Sequence, residues 1–290
     1  MRERIQLGDL QRLTIIPDGP LSGLPFETLV VREGDLPTYL LDIAPPIQYT
    51  PSATVLFNLQ QRSASKYDPQ TKPVLTVGDP QYGTPTQTAT DSLAMLSPGS
   101  RYVQRGGHLQ PLPFSGTEAT WVYDIFTKAG IGVGRLLRGD ATESNIRFNV
   151  PGRRIVHFAC HGLVDREYGN FFGSLAVTPG ARAATDPADD GFLTLSEIYQ
   201  LNLKSCELAI LSACETNYGP QQRGEGTWAL SRGFLVAGAR RVVASNWLVD
   251  DEAAASLVSY FCGGLARDEQ KGQTPDYAAR LHAAKKWVRY

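Results

Sequence analysis

Apolar residues fall in short runs along the first eighty positions: LTII before PDGP, TLVV before REGD, YLLDI before APP and VLTV before GDP. Runs of that length closed by turn residues predict short strands joined by tight turns. From about Asp79 to Ser115 the pattern dissolves into Gly, Pro, Ser, Thr and Gln with no lasting period. This predicts a long surface loop, the best candidate in the chain for a mobile or cleavable segment. GTEATWVYDIFTKAG then restores helical spacing, with Trp121, Ile125 and Ala129 on one face and Gly130 placed to stop the helix.

From about Arg153 the pattern changes to strand-length apolar runs, RIVHFA, GSLAV, LAILSA and RRVVAS. They alternate with the helical stretches LTLSEIYQL, GTWALSRGFLVAG and DEAAASLVSYFCGG. Strands apolar on both faces and interleaved with amphipathic helices predict an α/β fold, a mainly parallel sheet flanked by helices on both sides. The expected division is a strand-rich N-terminal part over residues 1–115, ending in the flexible loop, and an α/β core over residues 116–290. At 290 residues this is one large domain, or one domain with an N-terminal subdomain.

Composition narrows the function classes. The balance of 28 Lys+Arg against 29 Asp+Glu, a formal charge of -1, lacks the basic excess that direct nucleic-acid binding or an anionic membrane surface requires. The opening MRERIQLGDLQRL has no signal-peptide apolar run, and no stretch approaches the roughly 18 apolar residues of a membrane span. A soluble, cytoplasmic protein is expected. Four cysteines without a secretory signal read as free thiols and not as a disulfide framework. No cofactor is expected: GEG at 224–226 lacks the third glycine and the preceding strand of a dinucleotide site, and its glycines fit better at the mouth of a peptide cleft.

Ligand sites of open parallel sheets lie beyond the carboxyl ends of the strands. RIVHFA is followed by Cys160, His161 and Gly162, LAILSA by Cys214, Glu215 and Thr216, and RRVVAS by Asn246, Trp247, Asp250 and Asp251. An imidazole, a thiol and a pair of carboxylates are thereby delivered to one edge. A thiol at its free pKa is mostly protonated at neutral pH, so nucleophilic catalysis needs a nearby imidazole. His161 and Cys214 meet that need 53 residues apart, close to the roughly 50 known for caspases. Acyl transfer also needs donors for the developing oxyanion, and the N–H groups of Gly162 and Cys214 are the candidates.

Blander readings compete. His161 reads equally as a hydrogen-bonded loop histidine and Cys214 as a small core residue. His157, inside its strand, is expected in the core or on a sheet face, and Cys160 points away from His161 because successive strand side chains alternate. A zinc site from Cys160, His161 and Cys214 finds no supporting ligand spacing, so no metal is expected. Asp250 and Asp251 also suit the cap of a helix N-terminus.

ACHG at 159–162, LAILSACETNYG at 208–219 and GEGTWALSRGFLVAGARRVVASNWLVDDEAAA at 224–255 together resemble the CHAT domain, the bacterial branch of the clan that includes caspases and separase. LTIIPDGPLSGLPFETLV at 13–30 resembles the start of that domain, so the likeness covers nearly the whole chain. The resemblance implies a caspase-like cysteine endopeptidase with His161 as general base and Cys214 as nucleophile. In the separase relatives an aspartate soon after the tryptophan of an NLW-like motif holds a basic P1 side chain. Asn246 and Trp247 match that motif, which makes Asp251 the first S1 candidate, with Asp250 and Glu215 as alternatives. The family also implies a protein or peptide substrate, and gating by upstream tetratricopeptide repeats or an effector complex, by analogy with bacterial defence systems. The second reading is a catalytically silent interaction module. Neither the repeats nor the family's aromatic-rich closing strand occurs in these 290 residues, so the chain reads as a fragment or a short member.

Overall fold

The runs with apolar residues on both faces become the centre of the sheet. In the computed structural model, which describes residue 7 and residues 10–62, 71–82, 109–165, 170–183, 186–219, 221–222, 226–227 and 229–290, the elements follow in this order. The first part holds β1 (Leu13–Ile15), β2 (Val30–Arg32), β3 (Thr38–Tyr39), α1 (Leu40–Ile43), β4 (Ile47–Tyr49), α2 (Ala53–Gln61) and β5 (Val74–Gly78). Next come α3 (Ser115–Lys128), β6 (Val133–Leu137), α4 (Glu143–Asn149), β7 (Ile155–Ala159), β8 (His161–Leu163), β9 (Ser174–Ala176), β10 (Phe192–Thr194) and α5 (Leu195–Ile198). The chain continues through β11 (Leu208–Ser212), β12 (Gln221–Gln222), β13 (Gly226–Thr227), α6 (Leu230–Ala237), β14 (Val242–Ala244), α7 (Asp251–Gln270) and α8 (Tyr277–Arg289).

The central sheet has the order β14-β11-β7-β5-β6, and every neighbouring pair is parallel. Alternation divides its side chains between two layers. Val74, Ile155, Leu208 and Ile210 face α3 and α7, packing with Val122, Phe126, Phe261 and Leu265. Leu75, Val77, Val156, Phe158, Ala209 and Leu211 face the other way, toward Ile146 of α4, Ile198 of α5 and Phe234 of α6. Phe158 and Phe234 meet edge to face at 5.5 Å. Full burial of each such aromatic contributes about 1.5–3 kcal/mol, and this double cover makes a rigid platform for the strand ends. β5, from within residues 1–115, lies inside this sheet, so both parts of the chain build it.

Two expectations need correction. Of YLLDI only Tyr39 is strand, the end of β3; its remainder is α1, because the Asp42 carboxylate accepts a 2.7 Å hydrogen bond from the Tyr39 N–H and caps a helical turn. In α3 the buried face is Ser115, Glu118, Ala119, Val122 and Phe126, whereas Trp121 is 39% exposed. The helix packs against both the sheet and α7, which selects a face rotated from the one through Trp121. Gly130, at φ +79°, does end that segment in the left-handed region.

β1 and β4 pair in parallel apart from the central sheet. The chain between them docks on the C-terminal segment through the Lys285–Glu27 ion pair at 2.6 Å and hydrogen bonds from Lys286 and Tyr290 to Asp42. Between β4 and the free side of β14 lies a cavity of about 1160 Å³, lined by Ile47, Tyr49, Val242 and Ala244 among others. Most of the 79–115 loop, residues 83–108, lies outside the described residues. No described helix is long and apolar enough to cross a membrane.

Candidate active site

Ala159 and Ser212 are register partners at the ends of β7 and β11, so His161 and Cys214 each follow two residues beyond a matched pair. His161 does not hang from a loop. It opens β8, which pairs with β9 in a separate antiparallel sheet, β10-β9-β8. In that sheet the odd-numbered residues of β9 bond to β10, as Val177 N–H to Gly191 O and Leu195 N–H to Gly173 O show. Leu175 therefore turns its backbone from its partner Gly162, and the alternation of an antiparallel ladder directs the Gly162 N–H away from β9.

Residue 162 has to be glycine. A Cβ there would overlap the carbonyl oxygen of Cys214 and come within 3.2 Å of Thr216 Cγ2. The backbone bearing the imidazole and the loop bearing the thiol are thus in direct contact.

The loop after β11 is clamped. Thr216 is buried and its hydroxyl accepts from Ser245 N–H at 3.2 Å while donating to Ala213 O. Ser245 Oγ also donates to Ala213 O. Asn217 Nδ2 donates to Asn246 Oδ1 at 2.7 Å, Ser231 Oγ donates to Asn217 Oδ1 at 2.7 Å, and Glu215 N–H reaches Trp247 O. Glu215 itself sits at φ +52°, an uncommon left-handed conformation for a side-chain-bearing residue. Inside this clamp Cys214 is partly exposed, and among the described residues neither its N–H nor its Sγ has a hydrogen-bond partner.

His161 is held from the other side. Its Nε2 lies 2.7 Å from the Gln110 carbonyl oxygen. A carbonyl only accepts, so Nε2 carries the hydrogen and Nδ1, with no partner among the described residues, is the nitrogen that can take a proton. The Tyr82 ring lies 5.1 Å from the imidazole, and its hydroxyl accepts from His161 N–H. Burial, then the neighbouring Cys160 and the carboxylates of Asp251 and Asp79, hold the Tyr82 hydroxyl protonated far above its usual range. Among the described residues no hydrogen bond joins His161 to Cys214.

The S1 candidates have structural partners. Asp250 is the N-cap of α7, accepting from Ala253 N–H at 2.9 Å. Asp251 Oδ2 accepts from Phe114 N–H at 2.8 Å, beside the segment that carries Gln110. Trp247 is 48% exposed.

The other thiols are core groups. Cys160 is 1% exposed, and burial, with a contribution from the Glu118 carboxylate, raises its pKa far above the free thiol value. Cys160, His161 and Cys214 therefore do not converge, and among the described residues no three His, Cys, Asp or Glu side chains are placed to share a metal. His157 is fully buried. Of the GEG stretch, Gly224 and Glu225 lie outside the described residues. Sequence reasoning passed over Tyr82, Gln110 and Glu118. Only Glu118 left a signal, a carboxylate in step with the apolar positions Val122 and Phe126.

A parallel sheet covered on both faces, with a histidine and a cysteine beyond adjacent strand ends, defines the caspase-like cysteine peptidase fold. The chain belongs to the CHAT domain family, whose model matches residues 1–290. It is similar in fold to the crystal structure of the Arg-specific cysteine proteinase gingipain R, with a TM-score of 0.56 at 11% identity over 97% of this chain. It is likewise similar to the complex of the pro- and mature domains of RgpB from Porphyromonas gingivalis, with a TM-score of 0.53 at 12% identity over 97% of this chain. This chain spans 59% and 60% of those two structures' lengths. No match to a curated protein sequence is found.

Proposed function

We propose that this CHAT domain is a thiol endopeptidase in which Cys214 is the nucleophile and His161 the general base and acid. The observation that carries the reading is the contact of Gly162 with the Cys214 carbonyl, which sets the thiol and the N–H groups of Gly162 and Cys214, without hydrogen-bond partners among the described residues, beside the imidazole of His161. The Cys214 thiol gives its proton to His161 Nδ1, and the thiolate forms an S–C bond to the scissile carbonyl carbon. Negative charge on the carbonyl oxygen is met by the N–H groups of Gly162 and Cys214. The C–N bond breaks as Nδ1 returns the proton to the leaving amine, leaving a thioester. Water then gives a proton to Nδ1, its oxygen bonds to carbon, the C–S bond breaks, and the thiolate recovers the proton from Nδ1.

A basic P1 residue is the preference we assign, anchored by a charge-assisted contact with Asp251, with Asp250 and Glu215 as the alternatives. The Arg specificity named for the gingipain structure agrees with it. The test compares hydrolysis of Arg-P1 and Lys-P1 fluorogenic peptides by wild type and Cys214→Ala. Equal rates in the two proteins would exclude the nucleophile, and preferred cleavage after Asp would exclude the pocket.

One observation favours a gated or silent module: the thiol and imidazole share no hydrogen bond among the described residues. An upstream repeat domain or an effector complex is the activator this reading requires. Iodoacetamide labelling of Cys214 across pH separates the two, because a midpoint well below the free thiol value of about 8.5 belongs to a competent dyad.

A further inference from the structure

We infer that Glu118 is a positioning residue of the site, holding its separately borne parts in one geometry; the inference rests on the peptidase reading. Glu118 is 1% exposed, on the sheet-facing side of α3. Its Oε1 lies 2.8 Å from Nε2 of the fully buried His157, and its Oε2 accepts from Ser212 Oγ at 3.0 Å. The second nitrogen of His157, Nδ1, lies 2.8 Å from Thr76 Oγ1. The group thus runs from β5 through β7 to β11 and is anchored on α3.

Each anchor leads into a piece of the site. His157 precedes His161 by four residues on β7, and Ser212 precedes Cys214 by two at the end of β11. α3 follows closely on Gln110, the carbonyl that bonds the imidazole. One carboxylate therefore ties the elements that carry base, nucleophile and orienting carbonyl. Burying a carboxylate and an imidazole is costly, and apolar replacement of such groups is often neutral or stabilising. Their value here is geometric: all four side chains find partners only when the three strands and α3 hold one register and one height.

The test measures kcat and KM on Arg-P1 and Lys-P1 peptides, and Cys214 alkylation against pH, in wild type, Glu118→Gln, Ser212→Ala and Val122→Ala. The last is a buried apolar neighbour on the same helix and serves as a control for lost stability. Glu118→Gln is expected to lower kcat by about 10–100-fold with KM within about twofold, the scale of a small misplacement of reacting groups. Ser212→Ala is expected to lower kcat less, to add little when combined with Glu118→Gln, and to keep the fold if Glu118→Gln does not. Val122→Ala is expected to lose thermal stability and keep kcat. Wild-type kcat in both Glu118→Gln and Ser212→Ala would overturn the inference, as would equal loss in Val122→Ala. If wild type and Cys214→Ala cleave alike, the peptidase reading fails. The alkylation midpoint then decides: an upward shift in Glu118→Gln supports the positioning role, and no shift overturns it.

Discussion

The carbonyl oxygen of Cys214 occupies the space a Cβ on residue 162 would need. Gly162→Ala must push β8 from the Cys214 loop, and overpacking of this kind costs about 1–3 kcal/mol. The variant is expected to melt several degrees lower and to lose about 100-fold in kcat/KM, because the imidazole moves with the backbone. Thermal unfolding and peptide hydrolysis measured on the same sample check both outcomes.

Asp251→Asn keeps an oxygen for the Phe114 N–H, so the helix junction survives. It removes the charge assigned to P1 recognition, and a hydrogen bond to a charged group is worth about 1.5–3 kcal/mol. The preference for Arg-P1 over a neutral-P1 peptide is expected to fall by about 10–100-fold with little change in melting temperature. An unchanged preference would remove Asp251 from the pocket.

Thiol chemistry should be selective. Cys160, Cys206 and Cys262 are buried, and burial pushes the Cys206 thiol up to about 12 and the other two higher still. In the native protein, brief iodoacetamide treatment at neutral pH is expected to modify Cys214 alone, with the remaining three modified only after unfolding. Peptide mapping by mass spectrometry reads the four sites separately.

A different region sets a pH dependence of stability. Glu143 is fully buried at the start of α4; burial first, with Glu197 and Asp190 nearby, raises its carboxyl from about 4.5 to about 8 despite the Gly191 N–H and Arg147. Burial likewise pushes Asp190 up to about 7. The native state keeps a proton that the unfolded chain has released, so this stabilisation is complete below about pH 4.5 and is lost as pH rises to about 8. One proton gives a slope of at most about 1.4 kcal/mol per pH unit. Urea midpoints are expected to fall from pH 5 to pH 8 in wild type and to fall less in Glu143→Gln.

The core strands were legible because β7 and β11 are apolar on both faces, a pattern that only a doubly covered strand needs. The residues of the proposed dyad were legible for a related reason, since they stand just past those runs. The β10-β9-β8 sheet was not, because three-residue strands are too short to show a period. Gln110 and Tyr82 escaped for another reason. Gln110 acts through its carbonyl, a group every residue has, and both lie in or beside a stretch whose composition signals only loop. The buried face of α3 was misplaced because the apolar spacing of Trp121 and Ile125 carries no information about α7, which packs against that helix from far along the chain.

The strand order also has a kinetic meaning. Thr76 and His157 are 81 positions apart, and Glu118 and Ser212 are 94, so nearly everything that aligns His161 with Cys214 is a non-local contact. Such contacts form slowly, since long loops must close before they are rewarded. During refolding, helical signal is expected to return first, and selective reactivity of Cys214 to return only with the last, slowest phase. The proposed chemistry is a property of the finished sheet, and a nascent chain released before β11 has docked would carry His161 without Cys214 beside it.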